Sequence, residues 1–142
     1  MAKQPYLRLF FVIGMLLSFT APVTAQQAGS IDTTFNSSTF TSPNTIPSVE
    51  SMFLEPDGKL YVAGLFSSIS NANRMRIARL LPNGRVDTTF DPGMSADDAI
   101  FSVTQDAKGR VLIGGAFQRF NGVDYNRIAR LNYDGALDPT FN

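Results

Sequence analysis

The sequence predicts an all-β protein built from two repeats of about 51 residues, each forming a four-stranded sheet. Three observations carry this. Residues 58–91 lie without gaps on residues 109–142, with 12 of the 34 positions identical. Short strand-like runs alternate with Gly-containing turns, and nothing after residue 25 has a 3.6-residue apolar period, so helix is not expected.

Residues 1–25 stand apart from the fold. Lys3 and Arg8 precede the apolar run Leu9 to Phe19, and Val23 and Ala25 supply the small residues that signal peptidase prefers. The segment reads as a signal peptide cleaved after Ala25. The run is about half the ~20 residues a membrane span needs, and Ser18, Thr20 and Pro22 end it early, so an anchor is the weaker reading. The expected destination is secreted, periplasmic or cell-surface, with no membrane span after cleavage.

Loss of Lys3 and Arg8 leaves ten basic against twelve acidic side chains, a net charge of −2. With charges mixed along the chain, nucleic acid is not an expected partner. The absence of cysteine removes disulfides, thiolate metal sites and thiol nucleophiles. The absence of histidine removes the Ser-His-Asp mechanism and the usual base near neutral pH. No metal or cofactor is expected, and stability must come from packing.

Residues 26–30 form a short leader and residues 31–142 the repeat region, with repeat 1 over about 37–91 and repeat 2 over about 92–142. The expected strands of repeat 1 are Val49 to Leu54, Leu60 to Phe66, Arg76 to Leu80 and Val86 to Phe90. Those of repeat 2 are Ile100 to Gln105, Val111 to Phe117, Arg127 to Leu131 and Leu137 to Phe141. The turns Glu55-Pro-Asp-Gly58, Leu81-Pro-Asn-Gly84 and Asn132-Tyr-Asp-Gly135 separate them. A third copy of the last block stands at Ile31-Asp-Thr-Thr-Phe35. The Ser, Thr and Pro-rich stretch 37–47 reads as a loop insertion.

The second strand of each repeat indicates how the sheets are arranged. Leu60, Val62 and Phe66 point to one side and Tyr61, Ala63 and Leu65 to the other, and both sides are apolar. Gly64, Gly114 and Gly115 are expected to thin the strand where another sheet lies close. Four-stranded sheets covered on both faces at a fixed period describe β-propeller-type blades. A parallel β-solenoid competes, but its turns come at shorter periods and lack hairpin glycines.

The blocks Pro56-Asp-Gly-Lys59, Gly64-Leu-Phe66, Arg76-Ile-Ala-Arg-Leu80, Asn83-Gly84 and Val86-Asp-Thr-Thr-Phe90 resemble the delta-60 repeat, a β-propeller repeat of exported bacterial proteins. The second copy follows it through Gly114-Gly-Ala-Phe117 and Asn126-Arg-Ile-Ala-Arg-Leu131, with Ala107-Lys-Gly109 in place of the Pro-Asp-Gly turn. The resemblance covers about Ile31 to Asn142. It implies a propeller fold and no general activity, and its members often carry more repeats and a C-terminal surface-sorting module. A propeller needs at least four blades, so two repeats are expected to be an incomplete propeller: a truncated fragment whose further blades lie elsewhere in a longer chain, with a chain that self-associates into a ring or two sheets that collapse into a sandwich as the alternatives.

Chemistry is sparse. Arg79 and Arg130 precede Asp87 and Asp138 by eight residues, across a Gly turn, and recurrence in both units favours structural ion pairs with a bidentate arginine over a ligand clamp. The Asp-Gly turns lack the spacing of a calcium loop. Adjacent Asp97 and Asp98 fall on opposite faces and do not make a glycosidase pair. The loops Ser67 to Arg74 and Gln118 to Asn126 differ most between the copies, and recognition usually resides in such loops. Phe120, Asn121, Asp124, Tyr125 and Asn126 are the candidate ligand-binding residues, the aromatics to stack on a sugar and the polar groups to hydrogen-bond it. The expected function is a noncatalytic extracellular scaffold or binding module that presents loops to a protein or glycan. The alternative is a fragment of a carbohydrate-active propeller enzyme whose catalytic residues lie outside this chain, and a third reading is a spacer for a surface domain.

Overall fold

The computed structural model describes residues 32–35 and 38–141. The expected signal peptide and the leader lie outside those residues. Everything described is strand, turn or irregular chain, and among the described residues no helix is long and apolar enough to cross a membrane.

Each repeat forms a three-stranded antiparallel sheet. In blade 1, β2 (Ser48–Leu54), β3 (Leu60–Leu65) and β6 (Ile77–Leu80) pair in the order β2-β3-β6. In blade 2, β7 (Ile100–Gln105), β8 (Val111–Gly115) and β11 (Ile128–Leu131) pair as β7-β8-β11. The registers superimpose: Met52 faces Val62 as Val103 faces Ile113, and Val62 faces Ala78 as Ile113 faces Ala129. The central strands β3 and β8 consist of apolar residues and glycine throughout, which suits positions covered on both sides.

The expected fourth strands are not strands. Val86 and Leu137 each make a single antiparallel bridge, to Leu80 and Leu131. The chain then turns away because Asp87 Oδ1 accepts from the backbone N–H and hydroxyl of Thr89, at 3.0 and 2.6 Å. Asp138 and Thr140 repeat this at 3.0 and 2.6 Å. An Asp that bonds the backbone two residues on offers it an alternative to the ladder. Their place as short runs after a Gly turn predicts strands, and side-chain capping overrides it.

The loops expected between second and third strands contain small hairpins. β4 (Ser68–Ile69) pairs with β5 (Ala72–Asn73), and β9 (Arg119–Phe120) with β10 (Val123–Asp124). Their two-residue turns, Ser70-Asn71 and Asn121-Gly122, have positive φ throughout, the geometry that matches strand twist. β1 (Phe40–Thr41) pairs with β4, so part of the expected insertion 37–47 is structured.

Two apolar clusters show how the sheets are covered. The larger lies between the blades, with Tyr61, Ala63, Ile77 and Phe90 from blade 1 packed with Val103, Val111, Ile113 and Phe117 from blade 2. Full burial of one such side chain is worth about 1.5–3 kcal/mol, so this seam dominates the energetics. The smaller lies on the far side of blade 1: Val62, Phe66, Ile69, Ala78 and Leu80, flanked by Phe40 and Leu60. Blade 1 therefore has apolar residues on both of its sides.

Gly64 and Gly115 are required for a reason other than sheet stacking. Each lies beside a bulge in the neighbouring strand, at Val49/Ser51 and Ile100/Ser102. A Cβ on Gly64 would stand 2.1 Å from the Ser48 carbonyl, and one on Gly115 2.1 Å from the Ala99 carbonyl. The close approach comes from the adjacent strand of the same sheet. Gly114 has only ordinary contact, 3.7 Å from Arg127 O. Gly115→Ala is thus expected to destabilise by about 2–3 kcal/mol or more, and Gly114→Ala by under about 1 kcal/mol, in urea unfolding followed by circular dichroism.

Candidate functional site

Among the described residues Arg79 is the polar side chain with the most hydrogen bonds. β6 delivers it to the seam, where it is 1% exposed. Its Nε donates to Asp87 Oδ2 at 2.8 Å, Nη2 to Thr89 Oγ1 at 3.1 Å, and Nη1 to the Tyr61 hydroxyl at 3.1 Å and the Tyr133 carbonyl at 2.8 Å. The guanidinium lies 4.2 Å from the Tyr133 ring centre and 5.2 Å from that of Phe90. The pair is not bidentate. Nε alone meets the carboxylate, and the other N–H groups tie Asp87's own turn, β3 and blade 2 to one centre.

Arg130 and Asp138 form the second such pair, Nε to Oδ2 at 2.8 Å, with Nη2 reaching Thr140 Oγ1 at 3.3 Å. Burial opposes the charge on Asp87, but bonds from Thr89 and Arg79 outweigh it and hold its carboxyl below the ordinary range. For Asp138 the Thr140 hydroxyl and N–H, aided by Arg130, lower the pKa to about 2. Every nitrogen of the Arg79 guanidinium is committed to structure, and so are Nε and Nη2 of Arg130.

The hairpin β9–β10 divides the candidate ligand-binding residues. Phe120 is fully buried, because β9 turns it inward to bridge Ala96, as Ile69 turns inward in β4–β5. It is core and presents no face to a sugar. Asn121 is also committed: its Oδ1 accepts from Ser95 N–H at 2.8 Å and its own N–H donates to Ser95 O at 2.9 Å. Tyr125 is 9% exposed, its N–H donating to Gln118 O. Asp124 and Asn126 are exposed, and Asp124 Oδ1 accepts from Arg119 Nε at 3.0 Å. Asp124, Tyr125 and Asn126 line one open cavity of about 220 Å³ with Ile128 and Phe141. Asp97, set aside as half of a carboxylate pair, anchors this hairpin by accepting from Gln118 and Arg119 N–H at 2.9 and 3.1 Å. Asp98 bonds Ala99 N–H instead.

Further residues at the seam carry no signature in the sequence. Gln105 Nε2 donates to the buried Glu55 at 2.7 Å, Val103 N–H to Ser51 Oγ at 3.2 Å, and Lys59 Nζ to the Tyr133 hydroxyl at 3.0 Å. Each joins blade 1 to blade 2 across 50 to 74 residues, and only the register of two stacked repeats brings them together. Asn121-Gly122, by contrast, is a strong hairpin signal that marks β9–β10.

A family model described as a domain of unknown function (DUF5122) beta-propeller matches residues 55–90 and 109–141, one stretch in each sheet. The chain is a β-propeller repeat protein. Both matched stretches of these propeller repeats span the second and third strands, the hairpin between them and the Arg-Asp pair. No curated protein and no solved structure matches the chain.

Two outcomes follow for the propeller repeats. Arg79→Ala leaves a buried Asp87 unpaired and is expected to cost about 3–5 kcal/mol in urea unfolding, whereas Arg130→Ala, whose site has no second blade over it, costs less than half of that. Asp138 has a folded pKa of about 2 against about 4 when unfolded, so the unfolded chain takes up the proton first as pH falls. Its contribution is complete above about pH 4 and is lost towards pH 2. Melting temperatures measured from pH 6 to 1.5 should decline more steeply for the unmodified chain than for Asp138→Asn.

Proposed function

We propose that this protein is an exported, noncatalytic binding module of delta-60-type propeller repeats, recognising a protein or glycan through the hairpins that project from its blades. The observation that carries the reading is the contrast within one repeated element. β4–β5 and β9–β10 occupy the same place, share an inward anchor, Ile69 or Phe120, and share a positive-φ two-residue turn, yet their outward side chains differ. A constant scaffold under divergent tips suits recognition. The signal-like segment 1–25 supports export, and a chain without histidine or cysteine supports binding over turnover.

Recognition falls to the exposed groups Arg119, Val123, Asp124 and Asn126 beside the 220 Å³ cavity. Arg119 and Asp124 form a solvated ion pair that adds little stability, which leaves both free to exchange partners. Glycan and peptide arrays probed with the exported protein should retain it on a defined set of features. Arg119→Ala and Asp124→Ala should each weaken that retention about tenfold with the melting temperature unchanged. Hydrolysis of an arrayed glycan, abolished by changing one Asp or Glu, would replace this reading with the enzymatic one.

A further inference from the structure

The one interface between the blades specifies two surfaces that have no such cover. Blade 1 meets blade 2 through its front, which carries Tyr61, Ile77, Arg79 and Phe90. The same positions on the front of blade 2, 51 residues later, hold Leu112, Ile128, Arg130 and Phe141. Ile77 is fully buried, and Ile128 is 54% exposed. Blade 2 meets blade 1 through its back, which carries Val103, Val111 and Ile113; the back of blade 1 offers Met52, Leu60 and Val62. Val103 is 5% exposed, and Met52 is 65% exposed. The front of blade 2 and the back of blade 1 are thus the two halves of an interface already made once within the chain.

The match extends to polar groups. Arg79 spends Nη1 on the carbonyl of Tyr133, in the 132–135 turn of the next blade. Among the described residues every hydrogen bond of Arg130 stays within its own blade. The position answering Tyr133 on the back of blade 1 is Pro82, in an exposed turn of the same form.

We propose that a second copy of this chain docks the back of its blade 1 on the front of blade 2, repeating the internal interface head to tail. A contact between unlike surfaces propagates from copy to copy until a ring closes, as propeller blades close around an axis. The cavity beside β9–β10 shares Ile128 and Phe141 with this front, so docking covers part of its wall while the hairpin's Arg119 and Val123 lie outside that cavity's lining.

The back of blade 1 also carries an imperfect stand-in for the docking element. Asp32 Oδ1 accepts from the N–H and hydroxyl of Thr34 at 2.9 and 2.6 Å, as Asp87 and Asp138 do from their threonines. Phe35 lies with Phe40, Val49, Met52 and Val62 along a groove of about 340 Å³, the counterpart of the site where Phe90 is buried. Phe35 stays 38% exposed, because the Tyr61 and Arg79 that clamp Phe90 have no equivalents over it, and among the described residues no arginine reaches Asp32. A docking copy brings Arg130 and Asp138 to Phe141 as a complete unit to this position, and Asp32 to Phe35 yields to it.

The test is sedimentation equilibrium on the exported protein and on Ile128→Asp and Met52→Asp, both at exposed positions whose change leaves the internal seam intact. The unmodified protein should sediment as two or more chains, and each variant alone as a monomer with its melting temperature unchanged. Mixed in equal amounts, the variants should form a one-to-one dimer and nothing larger, since one retains only a working back and the other only a working front. A monomeric unmodified protein, a variant that still self-associates, or a mixture that stays monomeric would each overturn head-to-tail docking. Deleting residues 26–36 should tighten association at least threefold; weaker association would contradict displacement of the stand-in.

Discussion

A sheet with apolar side chains on both sides cannot bury both by itself, and that constraint organises this protein. β3 and β8 place apolar or small residues alternately on each side, so each blade requires a neighbour in front and behind. Where a neighbour is present, Ile77 and Val103 are buried; where it is not, their counterparts Ile128 and Met52 stand in solvent. Burial here belongs to pairs of blades.

Arg79 converts that apolar demand into a defined geometry. Dispersion and hydrophobic burial are non-directional and would tolerate one sheet sliding on another. The guanidinium does not, because its donors meet acceptors on β3, on the Asp87 turn and on the Tyr133 turn of the next blade at fixed angles. Gly64 and Gly115 do for the strands what Arg79 does for the sheets, admitting the bulged neighbour at a distance no Cβ would allow.

Much of this architecture is legible along the chain. The period of 51 residues, the Asp-Gly and Asn-Gly turns and the two apolar sides of the central strands lead to stacked antiparallel sheets, and six of the eight expected strands form with ends shifted by at most two residues. The fourth strands of the repeats fail because a short run after a Gly turn looks the same with or without the Asp87–Thr89 bonds that fold the backbone into a turn. Phe120 was misplaced as a ligand platform for a related reason. An aromatic in a variable loop looks exposed until Asn121-Gly122 is recognised as a tight hairpin, whose pleat sends every second side chain inward. Glu55, Gln105 and Tyr133 escape sequence reasoning altogether, since their roles arise only when repeat stacks on repeat.

The division of labour in the repeat is therefore spatial. The Arg-Ile-Ala-Arg-Leu block shared by both copies forms β6 and β11, while the outward side chains of the hairpins differ. The most direct test that the blades stand or fall together is native-state hydrogen exchange across both sheets. Mutual burial requires the amides of β3 and β8 to exchange through a single opening, with one free energy and one denaturant dependence. Two separate protection levels, with either blade opening while the other stays closed, would contradict it.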